Sequence, residues 1–143
     1  MNIQIVEQQK ELQVIIQCRQ ADEQVMRLKS HIELFDNKIQ AKNDTEICLV
    51  DAKDVLYFES VDNRIFLYTD EKVMETKQRL YELEETLPKE DFIRISKSQI
   101  VNINKIGKLK PEINRTILAT MCNGEQLYIS RKYVKAFRDL LSV

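Results

Sequence analysis

Phe92-Ile-Arg-Ile-Ser-Lys-Ser-Gln-Ile-Val-Asn-Ile-Asn-Lys-Ile106 interleaves the apolar residues Phe92, Ile93, Ile95, Ile100, Val101, Ile103 and Ile106 with Arg94, Ser96, Lys97, Ser98, Asn102, Asn104 and Lys105. No acidic residue interrupts it. The apolar positions suit a strand seated on a core, and the polar ones supply hydrogen-bond donors and positive charge. The stretch therefore reads as a strand and loop that offers donors to an acceptor-rich partner.

Working outward, the charge of the chain divides at this stretch. Residues 1–93 carry 12 Lys and Arg against 20 Asp and Glu (−8), whereas residues 94–143 carry 10 against 3 (+7). Screening over about 8–10 Å lets a basic half act on a polyanion although the formal net charge of the chain is −1. Two arrangements fit the charge alone: a nucleic-acid-binding face, or two halves that pack and neutralise one another.

Only two Gly and two Pro, with 43% hydrophobic residues in 143, describe about one globular domain. No apolar run reaches the roughly 18 residues of a membrane span, and the N-terminus lacks the layout of a signal peptide, so a cytoplasmic location is expected. Cys18, Cys48 and Cys122 are far apart in apolar surroundings without a second ligand type nearby, so they are expected to be packed free thiols, with no metal site.

Along the chain, Ile3 and Ile5, then Leu12, Val14 and Ile16, alternate as two strands. Ala21, Val25, Leu28, Ile32 and Phe35 follow at helical spacing, a stripe that either covers the chain's own sheet or pairs with its copy. His31 lies beside that stripe as a surface or boundary residue. Short strands at Ile47–Val50, Val55–Phe58, Arg64–Tyr68 and Lys72–Glu75 predict an antiparallel meander, and Thr76–Leu87 a helix stopped by Pro88. Thr116–Cys122 and Glu125–Ile129 form a hairpin about Asn123-Gly124, for which a tight turn with two positive-φ residues is expected. Ser130 is placed to cap a closing helix that faces Phe137, Leu140 and Leu141 inward.

Catalytic constellations are missing: there is no phosphate-cradling glycine loop, nucleophile elbow or HExxH, and a single histidine. The pattern excludes the common enzyme classes and implies neither cofactor nor small-molecule substrate.

Taken together, Val55-Leu-Tyr-Phe-Glu-Ser60, Asn63-Arg64, Leu80 with Leu83-Glu-Glu-Thr-Leu-Pro88, Phe92–Asn102, Asn123-Gly-Glu125 and Ile129-Ser-Arg-Lys-Tyr133 resemble, in order and spacing, a LytTR DNA-binding domain over about residues 40–143. The resemblance implies a mainly β fold, an elongated arrangement of small antiparallel sheets with short helices at 39–143, preceded here by a strand-strand-helix segment at 1–38. It implies double-stranded DNA as partner, read through three loops that enter successive grooves. Carried over residue by residue, Asn63, Lys97 and Arg131 are the expected base readers, and Ser98, Ser130 and Lys132 the expected phosphate contacts. Taken singly, Asn63 is equally a turn residue and Ser130 equally a cap. Where the family commonly has His-Arg-Ser, this chain has Ser96-Lys97-Ser98, which removes an imidazole and a forked guanidinium and predicts altered base readout.

The resemblance is to stand-alone members without a receiver domain. It implies a bacterial transcription regulator, and the first 38 residues are expected to make a homodimer or to dock a small membrane or signalling protein. An alternative is an interaction or sensor module on the same scaffold that no longer binds DNA. RNA stacking on Tyr57, Phe58, Phe66 and Tyr68 is a further reading, opposed by strand alternation, which sends half of them into a core.

Overall fold

The computed structural model describes residues 1–35 and 37–142. After the helix α1 (Glu23–Phe35) come β1 (Lys38–Asn43), β2 (Glu46–Asp51), β3 (Tyr57–Val61), β4 (Arg64–Tyr68) and β5 (Val73–Thr76). The helix α2 (Leu80–Thr86), β6 (Phe92–Ser96), β7 (Gln99–Asn102), β8 (Ile106–Pro111), β9 (Ile117–Met121), β10 (Gln126–Ile129) and the helix α3 (Arg131–Leu141) complete the chain. Pairing is antiparallel throughout, in a seven-stranded sheet of order β2-β1-β5-β4-β3-β7-β6 and a three-stranded sheet of order β10-β9-β8.

The large sheet buries both faces because its central strands are apolar at successive positions. Phe58, Ile65, Leu67, Phe92 and Ile100 pack with Leu80, Leu83 and Leu87 of the α2 region and Leu34 of α1. Their neighbours Leu56, Tyr57, Ile95 and Val101 pack the other way, against Ile117, Ala119, Met121, Leu127 and Ile129 of the small sheet and Phe137 of α3. Each fully buried Leu or Phe contributes about 1.5–3 kcal/mol relative to exposure, so this two-sided burial fixes the register of β3, β6 and β7. Pro111 is accommodated because β8 is an edge strand, whose outer side needs no N–H donor.

Three expectations are corrected. Of the strand-strand-helix preface only the helix forms: among the described residues no strand precedes Lys38, and Leu12 is 96% exposed. Alternation makes a strand only where a neighbouring backbone completes the ladder, and none lies beside residues 3–16 in the single chain. The face of α1 is also rotated from its expected stripe. Ser30 and Leu34 are its buried residues, while Phe35 is 72% exposed. The cause is polar: Ser30 Oγ donates to Oδ2 of the fully buried Asp91, whose Oδ1 accepts from Asn104 Nδ2 at 2.7 Å, and Arg27 donates to the Glu90 carbonyl at 2.5 Å. A buried carboxylate without such partners costs several kcal/mol, and this sets which side of α1 faces the sheet. Lastly, Cys18 and Cys122 are exposed and Cys48 is half-buried, all as free thiols. Cys122 falls in a turn and Cys18 precedes α1, so the apolar runs around them do not carry them inside.

The Asn123-Gly124 turn differs in detail. Only Gly124 has positive φ (92°), and Gly124 N–H donates to the Met121 carbonyl at 2.9 Å while Met121 N–H donates to Glu125 at 2.7 Å. This is a type I turn closed by a glycine bulge, with Asn123 Oδ1 accepting from Glu125 N–H at 3.1 Å. The two-residue turn with two positive φ values occurs instead at Asp62 (50°) and Asn63 (63°).

Candidate nucleic-acid interface

Antiparallel order brings the β3–β4 and β6–β7 turns to one end of the large sheet, because β3 pairs with β7 through Glu59 and Gln99. Beyond that rung Ser60 N–H donates to the Ser98 carbonyl at 2.8 Å, which places the Asp62-Asn63 and Lys97-Ser98 turns side by side. The start of α3 joins them. Ser130 N–H and Oγ both donate to the Ile95 carbonyl on the open edge of β6, at 2.9 and 3.0 Å. Ser130 thus occupies the cap position without a side-chain capping bond to its helix; it fastens α3 to the sheet. Asn63, Lys97, Arg131 and Lys132 are exposed here, and Ser98 and Ser130 are half-buried.

Two basic residues reach this end that the sequence pattern did not single out. Pairing of Ile65 with Thr76 carries the chain after β5 alongside the β3–β4 turn, so that exposed Lys77 and Arg79 stand next to it. Arg79 Nη1 donates to the Asn63 carbonyl at 2.8 Å, and Glu82 Oε1 accepts from Arg79 N–H at 3.1 Å at the start of α2. Arg64 and Arg94, in contrast, are neutralised. Glu75 accepts from Arg64 at 3.0–3.2 Å, and Arg64 holds its carboxyl below the usual range. Arg94 pairs with Glu84 and donates to the carbonyls of Ser96 and Lys97, so it shapes the β6–β7 turn. Among the described residues no acidic partner lies within salt-bridge distance of Lys77, Arg79, Lys97, Arg131 or Lys132. An open groove of about 680 Å³ continues along α3, lined by Arg115, Arg131, Lys135 and Arg138 with Asp139 as its acid.

Behind the turns, Tyr57 and Tyr68 stack with ring centroids 4.2 Å apart. Glu59 accepts from Tyr68 Oη at 3.0 Å and from Gln99 Nε2 at 2.8 Å, tying β3, β4 and β7 into a stiff base. Burial first, then the hydrogen bond to Glu59, pushes the Tyr68 phenol up to about 12; burial and the Glu125 carboxylate push Tyr57 further. Unfolded phenols ionise near pH 10, so between about pH 10 and 12 the folded chain holds more protons and loses stability as pH rises. Urea midpoints should fall over that window, and the Tyr57→Phe/Tyr68→Phe double variant should show a shallower fall; equal slopes would remove these phenols as the cause.

The arrangement matches a known domain. The family model of the LytTr DNA-binding domain fits residues 45–142. The chain belongs to the LytTR DNA-binding domain family. It is 39% identical over 100 residues to an uncharacterised HTH-type transcriptional regulator of Staphylococcus aureus (strain NCTC 8325 / PS 47), covering 70% of this chain and 67% of that protein. A counterpart in strain MRSA252 is 38% identical over the same length and coverage. A solved LytTr DNA-binding domain from Bacillus cereus superposes with a TM-score of 0.73 at 33% identity, covering 76% of this chain and 99% of that one. Among the described residues, strands separate α1 from α2 and α2 from α3, so the helix-turn-helix term in the relatives' names has no counterpart among them. Among the described residues, no helix is long and apolar enough to cross a membrane, and no group of metal-binding side chains occurs.

Proposed function

We propose that this chain is a sequence-specific transcription regulator of the bacterial cytoplasm that binds duplex DNA as a homodimer, through three loops at one end of its LytTR domain. The observation that carries the proposal is the convergence of the Asp62-Asn63 turn, the Lys97-Ser98 turn and the start of α3 beside five exposed cations that have no acidic partner among the described residues. Neighbouring strands lie about 4.8 Å apart, so the two turns are separated by roughly 10 Å, within the approximately 12 Å width of a major groove. Arg131, one step further out, then reaches towards the next groove.

In this reading Asn63 and Arg131 contact base edges, Asn suiting adenine and Arg guanine, and Lys97 serves guanine or phosphate. Lys132, Ser98, Lys77 and Arg79 hold the backbone, and the groove along α3 continues the phosphate path through Lys135 and Arg138. Ser130 contributes by position: its hydroxyl proton is held by Ile95, leaving an acceptor and the exposed first turn of α3. An anion at that turn meets free N–H groups and the positive end of the helix dipole.

Duplexes selected from a random pool supply the site for a test. With about six phosphate contacts, log affinity should fall against log salt with a slope of roughly −5. A slope near zero, or no enriched duplex, would leave the alternative of an interaction module whose basic end meets an acidic protein.

A further inference from the structure

Two parts of this chain lie uncovered in the single protomer, and they are complementary. β2 is one of the two outer strands of the seven-stranded sheet and pairs with β1 alone, so one side of its backbone has no ladder. Its Cys48 and Val50 pack on the core, while Ile47 and Leu49 point away at 68% and 70% exposure. Between Glu46 and Asp51 it has no charge, proline or bulge, the devices by which edge strands avoid further pairing. The other part is the N-terminal arm, which joins no sheet. Leu12, Val14 and Ile15 are 96%, 59% and 71% exposed, and Leu12–Gln17 is likewise free of charge and proline.

We infer that Leu12–Gln17 of one protomer adds as an antiparallel strand to β2 of a second copy, reciprocally, so that exchanged arms make the homodimer. This inference deepens the dimer of the proposed function and rests on it, but not on the DNA-reading loops. Pairing Leu12 with Asp51 and Gln17 with Glu46 sets Val14 opposite Leu49 and Ile16 opposite Ile47 on the outer face. Ile15 then lies beside Cys48 on the inner face, and Arg19 faces Asp44 in the β1–β2 turn. The period-two alternation of both segments is satisfied at once.

Other self-pairings fit less well. An antiparallel union of β2 with its own copy must keep Ile47 and Leu49 on one face, so its registers centre on a single residue such as Cys48, and every one of them leaves the arm uncovered. Arm and edge are present in the same chain, yet neither covers the other there, as the exposure of Leu12 and Leu49 records. A second copy supplies both missing partners by symmetry, in the closed form usual for twofold dimers.

The test is solution mass of the full chain by light scattering. Wild type should run at twice 16.9 kDa. The edge variant Ile47→Lys/Leu49→Lys and the arm variant Val14→Pro should each run as monomers, with far-UV spectra unchanged because the altered side chains are exposed. Mixing the two variants should restore dimer mass, since the arm of the edge variant still fits the edge of the arm variant. Dimers that persist in both variants, or monomers that stay apart in the mixture, would overturn arm exchange. A monomeric wild type would overturn it together with the homodimer, while titration of the selected duplex still decides the DNA-binding reading by itself.

Discussion

The combined variant Asn63→Gly/Lys97→Ala/Arg131→Ala should bind its selected duplex about 100- to 1,000-fold more weakly while unfolding in urea at nearly the wild-type midpoint. Each well-placed base contact is worth about 1–3 kcal/mol of discrimination, and neighbouring contacts on one ligand do not add fully. Glycine is the informative replacement at Asn63, whose φ of 63° would strain alanine and mix a folding effect into the binding one. All three side chains are exposed, so stability should change by no more than about 0.5 kcal/mol. Binding to a scrambled duplex should weaken much less, because the phosphate contacts proposed for Lys132, Lys77 and Arg79 are left intact. Anisotropy titrations on both duplexes measure the ratio, and an unchanged ratio would remove these residues from sequence readout.

Phe137→Ala should be the most damaging single substitution for both stability and binding. Phe137 is fully buried, and it is the only residue of α3 that is; Tyr133, Val134, Leu140 and Leu141 are partly exposed. Truncating a buried Phe typically costs about 3–5 kcal/mol, a large share of the approximately 5–15 kcal/mol that holds a domain folded. The loss falls on the contact that seats α3 against the two sheets, so Arg131 at the other end of that helix loses its aim. DNA affinity should therefore drop even under conditions where the variant remains folded by circular dichroism. Phe137→Leu, which keeps most of the volume, should recover much of both. Wild-type affinity in folded Phe137→Ala would show that the seat of α3 does not govern recognition.

The legible parts of the fold are those in which one residue pattern has one physical solution. β3, β4, β6 and β9 carry alternation or continuous apolar runs that pack as strands against the core, and α3 carries an apolar stripe opposite four basic residues. β1 and β8 escaped the pattern for opposite reasons. In β1 only Ile39 and Ala41 face inward, too few to mark a strand in sequence although both are buried. In β8 an edge position leaves Lys108 and Lys110 in solvent, so the core demands little of the sequence there. Residues 3–16 show the converse failure: alternation is present, but the backbone that would pair with it is absent from the protomer.

For the candidate interface the resemblance singles out Asn63, Lys97, Ser98, Ser130, Arg131 and Lys132, and the fold sets them at or beside three turns at one end of the large sheet. Lys77 and Arg79 were hidden inside an expected helix from Thr76, although Glu82, three residues after Arg79, is the acid that marks a later start at Leu80. Arg94 belongs by sequence to the charge offered outward, yet its partner Glu84 lies ten residues back on another element, a pairing no local pattern reveals. What the fold adds is the distinction between cations that are spent on shaping a loop and cations that remain available beside it.

Amide chemical-shift mapping of the isotopically labelled chain against its selected duplex tests the central claim most directly. The largest shifts should fall in three clusters, at residues 61–64, 96–98 and 130–132, with a fourth at 77–79 and weaker effects along the outer face of α3. Shifts confined to β1 and β2, or spread evenly over the basic C-terminal half without these clusters, would contradict recognition by the three-loop end of the domain.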